Sequence, residues 1–187
     1  MFVRCTLFLC LALSTVTAYN YQAVTTCPHI EGDPSFSLKP LRTVRGIVAT
    51  SSKNDSVSDR CAILKAGTFY ITGEDNSYTI IKFKENKDLS KGSFTQVGPD
   101  GNTYRVIALK TYGSECGNMN LLLRCSDTVG KIGIAPQVKI HGNVKNKLSD
   151  KCINDAAAYA SQVLKQDVIF YRIKNKQCLT ASGYCRK

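Results

Sequence analysis

The chain of 187 residues has no tryptophan, only two histidines and two methionines, and 14 acidic residues against 25 lysines and arginines. Two histidines leave little for acid–base chemistry. Neither His29 nor His141 is joined by a Gly-x-Ser-x-Gly elbow, a His-Glu-x-x-His helix or a phosphate-binding glycine loop elsewhere in the chain. The chain is therefore read as a non-enzyme, with His141, at a strand end, as a surface or rim side chain. No cysteine pair has metal-ligand spacing: Cys116 and Cys125 are nine apart, Cys178 and Cys185 seven apart, with no histidine close by. Neither a metal nor a cofactor is expected. Beyond residue 18 no stretch approaches the roughly 20 apolar residues of a membrane-spanning helix. There is no low-complexity tract and no aromatic-basic motif of the kind that binds nucleic acid.

What the chain does have begins at its N-terminus. Met1 to Arg4 carries one positive charge, an apolar run follows from Cys5 to about Val16, and Val16-Thr17-Ala18 supplies small residues before Tyr19. This is the pattern of a secretory signal peptide over 1–18, leaving a single domain over 19–187. Removal of that segment takes Cys5 and Cys10 with it, so seven of the nine cysteines remain. Export together with this cysteine content predicts disulfides, and an odd count leaves one thiol over. Asn54-Asp55-Ser56 is a glycosylation sequon in a polar stretch, which makes Asn54 a candidate acceptor.

Short apolar runs with period-two alternation recur at 44–51, 62–72, 77–84, 92–97, 103–111, 119–125 and 134–141. Gly73 to Asn76 and Gly98 to Asn102 are turn sequences between them. No helical pattern interrupts the seven runs, which predicts an all-β barrel or sandwich rather than a parallel α/β sheet. The period then changes. After Ser149-Asp150, a good N-cap, Ile153, Ala156, Ala157, Ala160, Val163 and Leu164 form one apolar stripe, so 150–165 is predicted as an amphipathic helix packed on the outside of the sheet. Residues 168–173 are predicted as a last strand.

The order Cys27, Cys61, Cys125, late helix, Cys178 carries a resemblance. Arg60-Cys61 opening a strand, the Gly92 to Val97 strand, and Leu148-Ser149-Asp150 before a helix, strand and Gln177-Cys178 add to it. Together they resemble the lipocalins, and among these the arthropod members related to bilin-binding protein, triabin and the nitrophorins. The resemblance implies an antiparallel up-and-down β-barrel of about eight strands with one C-terminal helix outside, and disulfides Cys27–Cys125 and Cys61–Cys178. A bond between Cys152 and Cys185 would pin the tail to the helix and leave Cys116 as the odd cysteine. The sequence departs from the family at its Gly-x-Trp, where this chain has Gly46-Ile47-Val48. It departs again at Thr-Asp-Tyr, here Lys110-Thr111-Tyr112, and at an arginine expected near Ile140-His141-Gly142. Seven runs where eight are expected mean either a strand hidden near 98–103 or a shortened barrel.

A barrel of this size encloses room for one small ligand. By alternation Phe69, Ile81, Phe83, Ile107 and Leu123 are its candidate wall residues, the competing reading being that they fill the core. A parity error of one residue would turn any of them to the other face. Haem held as in the nitrophorins needs a histidine on a mid-barrel strand, and none lies between Cys61 and Cys125. Lysines 139, 145, 147 and 151, and the basic residues 172, 174, 176, 186 and 187, form two basic stretches. These are either a solvated face or an attraction for an acidic protein, an anionic lipid or a polysaccharide. The expectation is a secreted carrier of a small hydrophobic ligand, with an anionic amphiphile suiting the charge. The alternative is a triabin-like inhibitor acting on another protein through its outer surface.

Overall fold

The computed structural model describes residues 27–36, 45–54, 62–65, 68–72, 78–85, 91–97, 101–126, 136–145 and 147–174. Among them are nine strands and one long helix. The strands are β1 (Arg45–Thr50), β2 (Ala62–Lys65), β3 (Thr68–Thr72), β4 (Tyr78–Glu85), β5 (Ser93–Val97), β6 (Thr103–Thr111), β7 (Asn120–Ser126), β8 (Gln137–Asn143) and β9 (Tyr171–Arg172). The helix α1 spans Asp150–Leu164. Every ladder is antiparallel, and β2 to β8 follow one another in a meander that continues into β1 and then β9. Strand β1 also pairs with β2, at Arg45↔Leu64 and Gly46↔Ile63.

The apolar run 62–72 is two strands rather than one. Lys65 pairs with Thr68, and only Ala66 and Gly67 separate them in the chain. The turn is marked by Lys65-Ala66-Gly67-Thr68, a break short enough that a reading of the whole run as one strand passes over it. This one run therefore contributes two strands to the sheet, and residues 98–100 of the expected turn region lie outside the described residues. At the other end the expected strand over 168–173 is reduced to the two residues of β9, which pair with Ala49 and Thr50.

Helix α1 starts where its cap predicts. Ser149 is extended and its hydroxyl accepts a 3.2 Å hydrogen bond from the Cys152 amide. Ile153, Ala156 and Ala160 are buried against Ile107, Leu121, Leu123, Val138 and Ile140. The helix thus covers one face of β6, β7 and β8. The small alanines allow close approach, and the apolar area removed from water at this layer, at about 25 cal/mol per Å², is what holds helix to sheet. Arg172 on β9 pairs with Asp150 at the helix start at 2.5 Å, tying the last strand to the first turn.

Two disulfides lie within the described residues. Cys27 is bonded to Cys125 on β7, fastening the N-terminal segment to the sheet. Cys152 is bonded to Cys116, with their Cα atoms 5.6 Å apart, and so is not available to Cys185. The expectation of Cys152–Cys185 with Cys116 left over is corrected by local geometry. A single 3-10 turn over Ser114–Cys116, between β6 and β7, delivers Cys116 to the first turn of α1. Cys61, Cys178 and Cys185 lie outside the described residues, as does the N-terminal segment 1–18.

The N-terminal segment also crosses the end of the sheet near the C-terminus of β6. The Asp33 amide donates to the Ala108 carbonyl at 2.6 Å, and the Asp33 carboxylate accepts from the Thr111 amide at 2.7 Å and from Ser35. Burial pushes the Asp33 carboxyl up, but these hydrogen bonds outweigh it and hold it below the ordinary range. Such a crossing requires two glycine backbones to touch. A Cβ on Gly32 would stand 2.6 Å from the Gly92 backbone, and Gly92 itself has φ of 76°. Phe36 then packs edge-on against Phe94, ring centres 5.3 Å apart.

Candidate functional site

The sheet has two apolar faces, and β6 and β7 divide their side chains between them. Under the helix lie Ile107, Leu109, Leu121, Leu123, Val138 and Ile140. On the opposite face Phe36, Phe94, Val106, Ala108 and Leu122 form a second cluster, with Phe83 against it. The register enforces this division: Ile107 pairs with Leu123 and Ala108 with Leu122, so each cross-strand pair keeps to one face.

The face away from the helix holds a pocket with about 450 Å³ of empty space, counting the part open to solvent. Its apolar wall is Ile47, Ile81, Phe83, Val106 and Leu122, and its polar wall is Gln96, Arg124, Lys139 and His141. An apolar wall with a few polar groups is the usual character of small-ligand sites. None of the nine lining residues is acidic.

Ile81 and Phe83 stand at the pocket as alternation along β4 predicts. Ile107 and Leu123 do not: both are fully buried under the helix, and their neighbours Val106 and Leu122 line the pocket instead. This is a parity error with a physical cause. Along β6 the residues from Val106 to Leu109 are all buried, and along β7 so are Leu121, Leu122 and Leu123. Strands covered on both faces carry no polar alternation to show which side is which. The backbone of Phe69 pairs with Leu64 and Ile81, and its side chain lies outside the described residues.

His141 is buried, with 3% of its surface exposed, and does not lie at the surface. It lies on β8 opposite Ile47 and Asn120. Burial, then the nearby charges of Lys139 and Arg45, push its pKa down to about 3, so the ring is neutral at physiological pH. Lys139 shares this face and is part of the pocket rather than of a surface stretch. The other described lysines of that stretch, Lys145, Lys147 and Lys151, are exposed.

Arg124 lies with its guanidinium carbon 3.9 Å from the centre of the Tyr104 ring, a cation–π contact that holds the side chain flat along the wall. Arg45, two residues before Ile47 on the same strand face, is 6% exposed. Burial alone lowers its pKa. Sequence reading passed over Arg45 and Arg124 and placed His141 at the surface or rim. The signal available was a basic residue at an inward-alternating position of a strand, which becomes visible only once parity is known.

His29 is exposed at the N-terminal segment, distant in role from the pocket. Asn54 is exposed as well. Among the described residues no group of histidine, cysteine and acidic side chains could hold a metal ion, and no helix is long and apolar enough to cross a membrane. No family model matches the chain, and no curated protein matches it.

Proposed function

We propose that this protein is a secreted, lipocalin-like container whose sheet forms a closed barrel around a small hydrophobic ligand. The single observation that carries the reading is the pocket on the helix-free face, walled by Ile47, Ile81, Phe83, Val106 and Leu122. Closure is supported by β1, which pairs with β8 on one side and with β2 on the other. A ring of β1 to β8 has about the strand number whose interior takes one small ligand. In this reading the helix covers the outside, and Phe36 with Phe94 packs in the cluster on the opposite face. Secretion is supported by the leader-like segment 1–18 and by the two disulfides, which persist in oxidising compartments. The exposed sequon at Asn54 suits the same compartment.

In this reading the protein carries or sequesters its ligand without covalent chemistry. Native mass spectrometry of protein secreted by cultured cells tests it. A co-purified molecule of a few hundred daltons, lost on unfolding, is the expected result. Ligand-free protein that also binds no apolar probe, with a macromolecular partner captured through its outer surface, would replace the container with the interaction module.

A further inference from the structure

We infer that the pocket selects an amphiphile with one anionic head group, of carboxylate or sulfate type, through Arg45 and Arg124. The inference rests on the container reading and adds the chemistry of the occupant.

Arg45 is 94% buried by its 6% exposure, and its Nη2 has no hydrogen-bond partner. Its neighbours in register are Asn143 and Leu64, neither of them charged. Its proton is held less tightly for one reason, loss of water. Arg45 and Ile47 are two residues apart on β1, before the bulge at Val48, so they point to the same side, and Ile47 lines the pocket. Arg45 is close enough to His141, another lining residue, for its charge to oppose protonation of that ring. Arg124 lines the pocket directly, and its buried Nε also has no hydrogen-bond partner. Lys139 adds a third cation to the same wall.

A guanidinium taken out of water without a counter-charge is strongly unfavourable, and buried charges are ordinarily paired. With no charge partner among the described residues, Arg45 has the state expected of a group whose partner arrives with the ligand. A planar fork of donors suits a carboxylate or sulfate. A neutral ligand leaves both guanidinium groups as they are, whereas an anion satisfies them. A cationic ligand is opposed by the same wall, which narrows the class to anions with an apolar body.

Equilibrium titration of the ligand-free full secreted chain with decanoate, decyl sulfate and decanol tests this. These share one alkyl length and differ in head group. Both anions are expected to bind at least about tenfold more tightly than decanol. The Arg45→Met and Arg124→Met double variant should bring the three within about twofold. Ligand-free Arg45→Met should melt at or above the wild-type temperature, because it removes an uncompensated buried charge; a purely structural arginine would lower it. Equal wild-type affinity for decanoate and decanol overturns the inference and leaves the container standing. A preference that survives the double variant also overturns it. No binding of any of the three overturns both.

Discussion

Leu122 and Leu123 are neighbours with opposite duties. Leu123 is fully buried beneath the helix, and Leu122 lines the pocket. Leu123→Ala should cost about 3 kcal/mol in unfolding free energy and leave ligand affinity unchanged. Leu122→Ala should weaken binding of an apolar probe. Chemical denaturation and probe titration on the two variants separate the effects. His141 makes a second residue-scale prediction. Its folded pKa of about 3 lies below the usual 6.5, so the unfolded chain binds the extra proton between those values. Its neutral burial costs nothing above pH 6.5, and stability is lost as pH falls from there toward 3. Between pH 7 and pH 5 the loss should reach up to about 2 kcal/mol. His141→Phe should flatten this part of the profile, read by urea midpoints.

At the scale of elements, the join between the β6–β7 connection and the helix is the part most open to test. The Cys116–Cys152 bond closes a 36-residue loop, and chain-entropy reasoning assigns it about 4 kcal/mol. Replacing both cysteines with serine should lower the unfolding free energy by that order, read from denaturant titrations. It should also increase amide exchange in the first turn of α1, while the Ser149 cap keeps the rest of the helix in place. Mass mapping that joined Cys152 to Cys185 would contradict the assignment. The helix was legible in the sequence because a solvent-facing side supplies the polar residues that make a 3.6-residue period visible, with Ser149 marking its start. Strand β4 was legible at Ile81 and Phe83, where alternation survives. Strands β6 and β7 were not, since burial on both faces erases the signal that alternation needs. The β2–β3 pair was missed for a different reason: its turn, Lys65-Ala66-Gly67-Thr68, is only two residues between paired ends and was read as part of one strand.

At the scale of the molecule, the sheet divides the interior into a dry layer beneath the helix and a pocket on the other side. The N-terminal segment, fixed by Cys27–Cys125 and Asp33, covers one end. Of the cysteine pairings that the resemblance implied, Cys27–Cys125 is present and Cys61–Cys178 lies outside the described residues, while Cys152 pairs with Cys116 instead of Cys185. The pocket's chemistry was less legible. Arg124 and His141 line the pocket from β7 and β8, Arg45 lies on β1 on the face of Ile47, and only the register brings these strands side by side. The central claim is that this wall, and not the helix-covered layer, is where a ligand enters. Methyl NMR of the ligand-free protein, labelled at isoleucine, leucine and valine and titrated with decanoate, tests it most directly. The account predicts shifts at Ile47, Ile81, Val106 and Leu122, with Ile107, Leu121, Leu123 and Ile140 unmoved. Shifts confined to the second group, or none at saturating decanoate, would contradict it.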